Sequence, residues 1–398
     1  MEKNSKDQNI KFVDICFISS IPYTIYFYHD LLERLKKKKA KFGVASSDEP
    51  DLFDIKSKYG CDIFPVHITR NITPFKDMVA ILKLIHYFRN RRYQVVHAHT
   101  PKGGLVGMIS SFLARIPVRV YTIHGLPLET TRGVNRKLLW LAELVSCRLA
   151  TQILAVSPSL RDLVIKEKLC SPDEIKVLGD GTACGIDTEK FVLSEQNKAK
   201  GREIRKSLNI ADDDIVIGFV GRLVFDKGIE SLVKSFYCVQ RQFRDVHLLL
   251  VGLFDKSRET FDKDFMDMIE SNHNIHCVGF KENIVPYYAA MDLFVMPSRR
   301  EGFGMTLIEA SAMGLPVIGT RIVGCIDAVE DGVTGFLVEV DNENQLKTAI
   351  MKLIDDPQLR KILGQQGNKR TEKLFDTKPL VEEHLKLYNC LCEDIKNG

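Results

Sequence analysis

Asp292-Leu-Phe-Val-Met-Pro297 followed by Ser298-Arg-Arg-Glu301-Gly302-Phe303-Gly304-Met305-Thr306-Leu-Ile-Glu309 is the stretch from which the rest of the chain can be read. The first part is an apolar run of strand length closed by a proline. Gly302 and Gly304 then let the backbone turn tightly, and a helix is expected to begin near Met305. A strand that turns through glycines into a helix aims the helix's unpaired N–H groups back at the loop, which makes a seat for phosphate. Glu301 stands before the turn and Glu309 one helical turn inside, with seven residues between them. Two carboxylates flanking such a seat can accept hydrogen bonds from hydroxyls at both ends of a phosphate-linked sugar, so the stretch reads as a sugar-nucleotide site. Taken alone, a Glu pair at a helix start is ordinary complementarity to the helix dipole on a solvated face.

A second stretch upstream changes that balance: Gly218-Phe-Val-Gly221-Arg222-Leu-Val-Phe-Asp-Lys227-Gly228. An isolated Arg and Lys at this spacing are ordinary surface charge, but here they follow a strand, in the same order and separation as a known pair of motifs. Together the two stretches resemble the retaining glycosyltransferases of family 4. The resemblance implies an α/β fold of GT-B type, with two Rossmann-like parallel-sheet lobes facing a central cleft. It implies that Arg222 and Lys227 neutralise the donor diphosphate, that Glu301 lies at the donor sugar, and that Glu309 holds the ribose hydroxyls. Gly221 and the run Gly302, Phe303, Gly304, Met305 and Thr306 are the expected remaining donor contacts. The chemistry is consistent: glycosyl transfer expels a nucleoside diphosphate, and cations held where that charge develops favour the transition state over the ground state.

The 398 residues exceed what one core holds, so two domains are expected. The boundaries implied are residues 1–185, with 377–398 crossing back onto them, for an acceptor lobe, and 186–376 for a nucleotide-sugar lobe. A hydrophobic share of 45% with 27% charged residues is that of a globular enzyme, not a disordered or fibrous chain. The most apolar long segment, Leu138 to Val156, is interrupted by Glu143 and Arg148, which argues against a membrane span. Met1-Glu-Lys-Asn-Ser-Lys-Asp-Gln8 has no apolar core and does not read as a signal peptide. Ten cysteines without Cys-x-x-Cys pairs or metal-type spacing read as reduced thiols of a cytoplasmic protein.

Short apolar runs alternate with amphipathic segments, the pattern of βαβ units. Val13–Ser19, Phe42–Ala45, Val95–Ala98, Val118–Ile123, Gln152–Val156 and Ile175–Leu178 are expected strands of the first lobe. Ile215–Val220, His247–Val251, Ile275–Val278, Leu293–Met296, Pro316–Gly319 and Gly335–Val338 are expected in the second. Gly185 to Phe191 and the polar run Ser194 to Gly201 read as the connection between lobes, and Pro379 to Ile395 as an amphipathic last helix.

In the first lobe, His124 and Gly125 follow a strand, where ligands bind in open α/β sheets. A structural histidine competes with that reading; the resemblance places His124 against the donor sugar and diphosphate. Val96-His97-Ala-His99-Thr100-Pro-Lys102-Gly103-Gly104 opens a helix with two glycines beside a lysine. Thr100, Lys102, Gly103 and Gly104 therefore read as an acceptor-phosphate cradle. His97 and His99 share one strand face, but without an acid or thiol in register they are weak metal ligands. Asp212-Asp-Asp214 reads as a solvated turn and not as a metal site. No metal and no cofactor are expected.

Some loops depart from the family. Ser19-Ser20-Ile-Pro22 lacks the paired glycines many relatives place at the diphosphate, leaving the Ser20 hydroxyl as the expected donor contact; Cys184 and Gly324-Cys-Ile-Asp327 also differ. The combination of the His97, His124 and Ala155-Val-Ser-Pro-Ser-Leu motifs resembles bacterial enzymes that extend lipid-linked saccharides for capsule, exopolysaccharide or glycoprotein glycans. That subgroup implies a UDP-sugar donor, commonly a UDP-N-acetylhexosamine, a polyprenyl-pyrophosphate saccharide acceptor, and front-face substitution with retention. A UDP-sugar epimerase of the same fold and a non-catalytic sugar-nucleotide-binding protein are the alternatives. A nicotinamide oxidoreductase fits less well, because Gly103-Gly-Leu-Val-Gly107 is not Gly-x-Gly-x-x-Gly and no acid ends the next strand.

Charge is unevenly spread: residues 1–150 carry 24 Lys and Arg against 13 Asp and Glu, and residues 151–398 carry 32 against 39. Lys36 to Lys39, Lys41, Arg89, Arg91 and Arg92, beside Ile81, Leu84, Ile85 and Phe88, suit anionic lipid headgroups. Nucleic acid is not expected, since no recognition helix or aromatic stacking motif accompanies the basic charge. The expected location is therefore the inner face of the cytoplasmic membrane, as a peripheral protein.

Overall fold

The computed structural model describes residues 13–69, 73–255 and 261–397, so the N-terminal run Met1 to Gln8 lies outside the described residues. The chain divides into two compact units, Met1–Gly185 with Thr377–Gly398, and Ile186–Asp376.

The first unit is built on seven parallel strands, β1 (Ile15–Ile18), β2 (Phe42–Ser46), β3 (Asp62–Pro65), β4 (Val95–His99), β5 (Val118–Ile123), β6 (Gln152–Ala155) and β7 (Ile175–Lys176). Their order is β3-β2-β1-β4-β5-β6-β7. Helices α1 (His29–Lys37), α2 (Pro50–Tyr59), α3 (Pro74–Arg91), α4 (Pro101–Leu113), α5 (Gly133–Leu149) and α6 (Pro158–Lys166) make the crossovers. Every residue of β1 and β4 is buried, because helices cover both faces of the sheet. The chain lays down β2 and β3 on one side of β1, then returns to place β4 on the other. Between β1 and β4 the winding reverses, and there the loops after the two strands diverge and leave a crevice at their carboxyl ends. Ser19–Ser20 and Thr100–Lys102 lie at that edge.

The second unit repeats the plan with β8 (Ile215–Val220), β9 (Val246–Val251), β10 (Ile275–Gly279), β11 (Leu293–Met296), β12 (Val317–Thr320) and β13 (Gly335–Val338). The strand order is β10-β9-β8-β11-β12-β13, all pairs parallel, so the reversal falls between β8 and β11. Its helices are α7 (Glu195–Ser207), α8 (Ile229–Gln240), α9 (Lys263–Ser271), α10 (Val285–Tyr288), α11 (Met305–Ala312), α12 (Cys325–Ala328), α13 (Glu343–Asp355) and α14 (Pro357–Leu374). Ile217 and Phe219 of β8 pack with Leu248 and Leu250 of β9, Phe236 of α8 and Ile350 of α13, all fully buried. Each such side chain contributes about 1.5–3 kcal/mol through removal from water. The final helix, α15 (Thr377–Asn397), belongs to the first unit. It packs on α1, where Arg34 and Glu382 pair at 2.9 Å, and its Glu383 accepts the Gly179 N–H at 2.8 Å.

Two expectations need correction. β3 was not anticipated: Asp62-Ile-Phe-Pro is short, begins with an acid and ends with proline, all of which an edge strand tolerates because one side of its backbone pairs with nothing in the sheet. Ser194 to Gly201 is no linker but the start of α7, with the Ser194 hydroxyl capping it by accepting the Asn197 N–H at 3.2 Å.

Candidate active site

In the second unit the chain leaves β11 at Met296 and enters α11 at Met305. Gly304 holds the position before the helix at φ 80°, ψ 50°, a left-handed conformation that a side chain would strain, and no side chain caps the helix start. Gly302 serves the loop differently. Gly324 packs so closely behind it that a Cβ there would lie 2.6 Å from the Gly302 carbonyl group. Phe303 is buried, with its ring edge-on to Phe375 at 5.1 Å, and the Thr306 hydroxyl donates to the Met296 sulfur at 3.1 Å. Both side chains thus turn inward, and what this run offers a ligand is backbone.

The loop after β8 arrives at the same place. Gly221, at φ 149°, donates its N–H to Val251 at 2.9 Å, and the half-exposed Arg222 guanidinium lies 3.7 Å from Asp255. Gly228 has φ 69°, and a Cβ on it would meet the Pro297 carbonyl oxygen at 1.9 Å, so glycine is what lets the two loops touch. The Arg299 N–H donates to the Asp226 carbonyl at 2.8 Å and the Arg300 guanidinium to the Asp226 carboxylate at 2.9 Å, lacing the loops together. Held this way, Lys227 Nζ forms an ion pair with Glu301 Oε1, with side-chain exposures of 23% and 12%. One turn into α11, Glu309 accepts the hydroxyl of fully buried Tyr288 at 2.7 Å. Burial pushes the Glu309 carboxyl up to about 7, against the opposing pull of the Tyr288 hydroxyl and Lys190. Tyr288, in the Val285-Pro-Tyr-Tyr run of α10, was not foreseen. The available signal was chemical: a tyrosine flanked by apolar residues needs an acceptor for its hydroxyl once buried.

In the first unit the Ser20 hydroxyl lies 3.0 Å from Thr100 Oγ1, which joins the loops after β1 and β4. Thr100 has φ 64°, ψ 150°, a region that strains a β-branched residue, and its side chain accepts the Gly103 N–H at 3.3 Å. The two glycines differ from the expectation of a phosphate cradle. A Cβ on Gly103 would sit 3.0 Å from Ser19 Cα, and one on Gly104 would sit 2.3 Å from the Tyr121 ring. Their absent side chains admit the neighbouring loop and strand, and their N–H groups are taken by Thr100. Lys102, 11% exposed, pairs with Asp77 of α3 at 2.5 Å, a partner that the sequence reading did not consider.

His124 Nε2 lies 3.2 Å from His99 Nδ1. His97 is bounded by hydroxyls, Tyr388 at 2.7 Å from Nδ1 and Thr122 at 2.6 Å from Nε2, so the His97/His99 pair sits inside a packed network and does not form an open metal site. His384 of α15 completes the cluster, 6.4 Å ring to ring from His97. Burial drives all four toward the neutral form: His124 and His384 fall to about 4, and His97 and His99 lie well below the ordinary value. His124 is therefore a neutral hydrogen-bonding group. Among the described residues no three His, Cys, Asp or Glu are grouped to hold a metal. Asp214 accepts the Ala211 N–H at 2.9 Å and lies 3.0 Å from His247, as a turn residue does.

The basic cluster changes most. Lys36 to Lys39 and Lys41 close α1 and precede β2, and Arg89 to Arg92 close α3 before β4, which puts them at the amino edge of the sheet, opposite Lys102. Acids offset them: Lys41 pairs with Asp14 and Arg91 with Asp62, each at 3.3 Å. Leu84 and Phe88 are fully buried and belong to the core.

Residues 26–190 match Glycosyltransferase Family 4 and residues 200–370 match Glycosyl transferases group 1. A capsular polysaccharide biosynthesis glycosyltransferase, CapM, of Staphylococcus aureus is 36% identical over 91% of this chain and 93% of its own length. The chain belongs to the family 4 GT-B glycosyltransferases. The Escherichia coli UDP-Gal:alpha-D-GlcNAc-diphosphoundecaprenol alpha-1,3-galactosyltransferase is 28% identical over 73% of each chain. The Anabaena Alr3699/HepE structure, in complex with UDP and glucose, superposes with a TM-score of 0.79 at 20% identity, covering 94% of this family 4 chain and 99% of its own.

Proposed function

We propose that this glycosyltransferase transfers a sugar, an N-acetylhexosamine or a related hexose, with retention, from a UDP-sugar to a polyprenyl-pyrophosphate-linked saccharide during surface polysaccharide assembly. The observation that carries the reading is the Lys227–Glu301 ion pair, which joins the loop after β8 that also carries Arg222 to the loop that opens α11, at the winding reversal of the second unit. A donor diphosphate is a better counter-ion for Lys227 than one carboxylate, since it spreads more negative charge over more acceptors. On binding, Lys227 turns to the phosphates with Arg222 and the α11 amides, and Glu301 is released to accept a hydrogen bond from a sugar hydroxyl. These groups supply the positive potential, so the transfer is proposed to need no metal ion and no cofactor. In the transfer the acceptor oxygen bonds to the anomeric carbon on the face from which the phosphate leaves. The departing phosphate oxygen takes the acceptor's proton. Glu309 holds the ribose, Thr100 and Lys102 serve the acceptor's phosphate, and neutral His124 contributes hydrogen bonding.

The relatives support the polysaccharide setting and the two substrates. The S. aureus protein is named for capsule synthesis, the E. coli one for a UDP-sugar and a diphosphoundecaprenol acceptor, and the Anabaena structure holds UDP. Among the described residues no helix is long and apolar enough to cross a membrane, and a peripheral position on the cytoplasmic face fits such an acceptor. Mass spectrometry of reactions between a panel of UDP-sugars and short lipid-pyrophosphate saccharides tests the proposal: one added hexose or N-acetylhexosamine is expected. Conversion of the UDP-sugar by itself to an isomer, followed by proton nuclear magnetic resonance, would overturn it in favour of an epimerase.

A further inference from the structure

One surface of the first unit is apolar and solvent-exposed among the described residues. On α3, Phe75 is 84% exposed, Met78 55%, Val79 53% and Leu82 62%. Their spacing of three, four and seven residues puts them on one stripe of the helix. On α5, Val134 is 73% exposed, Leu138 45% and Leu141 52%, again along one stripe. α4 packs against both helices and so joins the two stripes into one layer on the same face of the sheet. Monomeric proteins seldom expose apolar ridges of this extent without a use for them.

Two further observations identify the occupant. All exposed charged residues on α3 and α5 are basic: Lys76, Lys83, Arg89 and Arg91 on the first, Lys137 and Arg148 on the second. The acids of these helices are withdrawn, Asp77 against Lys102 and Glu143 as a buried acceptor of the Tyr121 hydroxyl. A second copy of this chain would set basic face against basic face, whereas an anionic bilayer complements both the charge and the apolar stripe. The stripes also lie in the amino-terminal halves of their helices. In a parallel sheet with crossover helices those halves stand at the carboxyl edge of the strands, the edge that carries Thr100 and Lys102.

We propose that the α3–α5 face is an interfacial docking surface for an anionic lipid bilayer, with the apolar stripes entering the headgroup region and the flanking lysines meeting lipid phosphate. This deepens the proposed function, on which it rests for the lipid-linked acceptor: docking by this edge brings the membrane to the Lys102 loop. The basic cluster at the opposite edge would turn that loop away.

The test is sedimentation of the full chain with vesicles of phosphatidylcholine alone or mixed with phosphatidylglycerol. Binding to the mixed vesicles is expected. The pairs Phe75→Ser with Leu82→Ser, Leu138→Ser with Leu141→Ser, and Lys76→Glu with Lys83→Glu should each weaken it by about tenfold or more. Lys37→Glu with Lys38→Glu, at the far edge, should leave it nearly unchanged. All replaced side chains are solvent-facing, and a retained melting temperature in the fluorescence of Trp140, which lies in α5 of the same unit, confirms folding of each variant. Equal binding by all variants, loss only in the far-edge pair, or no binding by the wild type would overturn the inference. So would light scattering that shows a dimer broken by the stripe variants without an effect on vesicles, which assigns the face to a second copy. Donor binding separates the two readings: vesicle binding with no UDP-sugar affinity sinks the enzymatic proposal and leaves the docking surface standing.

Discussion

Replacing Glu309 by Gln keeps the shape of the proposed ribose contact and removes its titration. In the ligand-free protein burial holds this carboxyl up to about 7, with the Tyr288 hydroxyl donating to it. Ribose hydroxyls can donate only to the ionised form with full strength, so donor binding favours deprotonation. The free site is about nine-tenths ionised near pH 8 and about one-tenth near pH 6. Affinity for a UDP-sugar should therefore fall about tenfold over that interval, or about 1.4 kcal/mol. A UDP-sugar is the right probe because, unlike UDP, it has no terminal phosphate that titrates in the window. Calorimetric titration at constant ionic strength, in two buffers of different ionisation enthalpy, reads both the affinity and the proton released. Glu309→Gln should bind more weakly at pH 8, by about 1–3 kcal/mol for the lost charge-assisted bonds, and should show no pH slope. A flat profile in the wild type, or an equal slope in the variant, refutes the ribose assignment.

Arg222→Ala and Lys227→Ala should each lower turnover by about two to three orders of magnitude at saturating donor, as loss of one oxyanion donor does, with little change in folding. Steady-state rates near wild type in both would remove them from the diphosphate. Activity should persist in excess chelator, and loss with EDTA restored by manganese would transfer the charge-neutralising role to a metal. Acid should loosen the first unit, and Trp140, the chain's single tryptophan, lies in that unit and reports it. His124 and His384 have folded values of about 4 against an ordinary 6.5, so the unfolded chain binds more protons and stability falls as pH drops through that window, by up to about 3 kcal/mol for each. Glu143, pushed up to about 7 by burial, acts oppositely, but it is one group against four histidines. A Trp140 fluorescence melting temperature that stays constant between about pH 7 and pH 4.5 would contradict the buried neutral cluster.

What the sequence makes legible here follows from what is local. Central parallel strands such as Leu293–Met296 are apolar on both faces and announce themselves, and the glycine turn after them announces α11. β3 escapes because an edge strand is excused from the pattern. The packing glycines mislead for a related reason: Gly103 and Gly104 look like a ligand cradle in sequence, yet what fills the space beside them is Ser19 and Tyr121, which no spacing rule connects to them. Partners distant along the chain are likewise invisible until the fold joins them, as with Asp77 for Lys102, Tyr288 for Glu309 and Tyr388 for His97.

The proposed docking surface is hidden from the sequence by the same logic. Counting Lys and Arg finds the basic half of the chain, but it cannot tell a helix's start from its end as a place on the sheet. α3 carries both candidates: Arg89 to Arg92 at its carboxyl end, partly answered by Asp62, and the stripe of Phe75, Met78, Val79 and Leu82 at its amino end, exposed among the described residues. Topology decides between them, because the amino ends of crossover helices stand where the parallel strands end. The proposed lipid-linked acceptor would need the membrane at the edge that carries Thr100, Lys102 and His124, and the apolar stripes, not the densest run of lysines, share that edge.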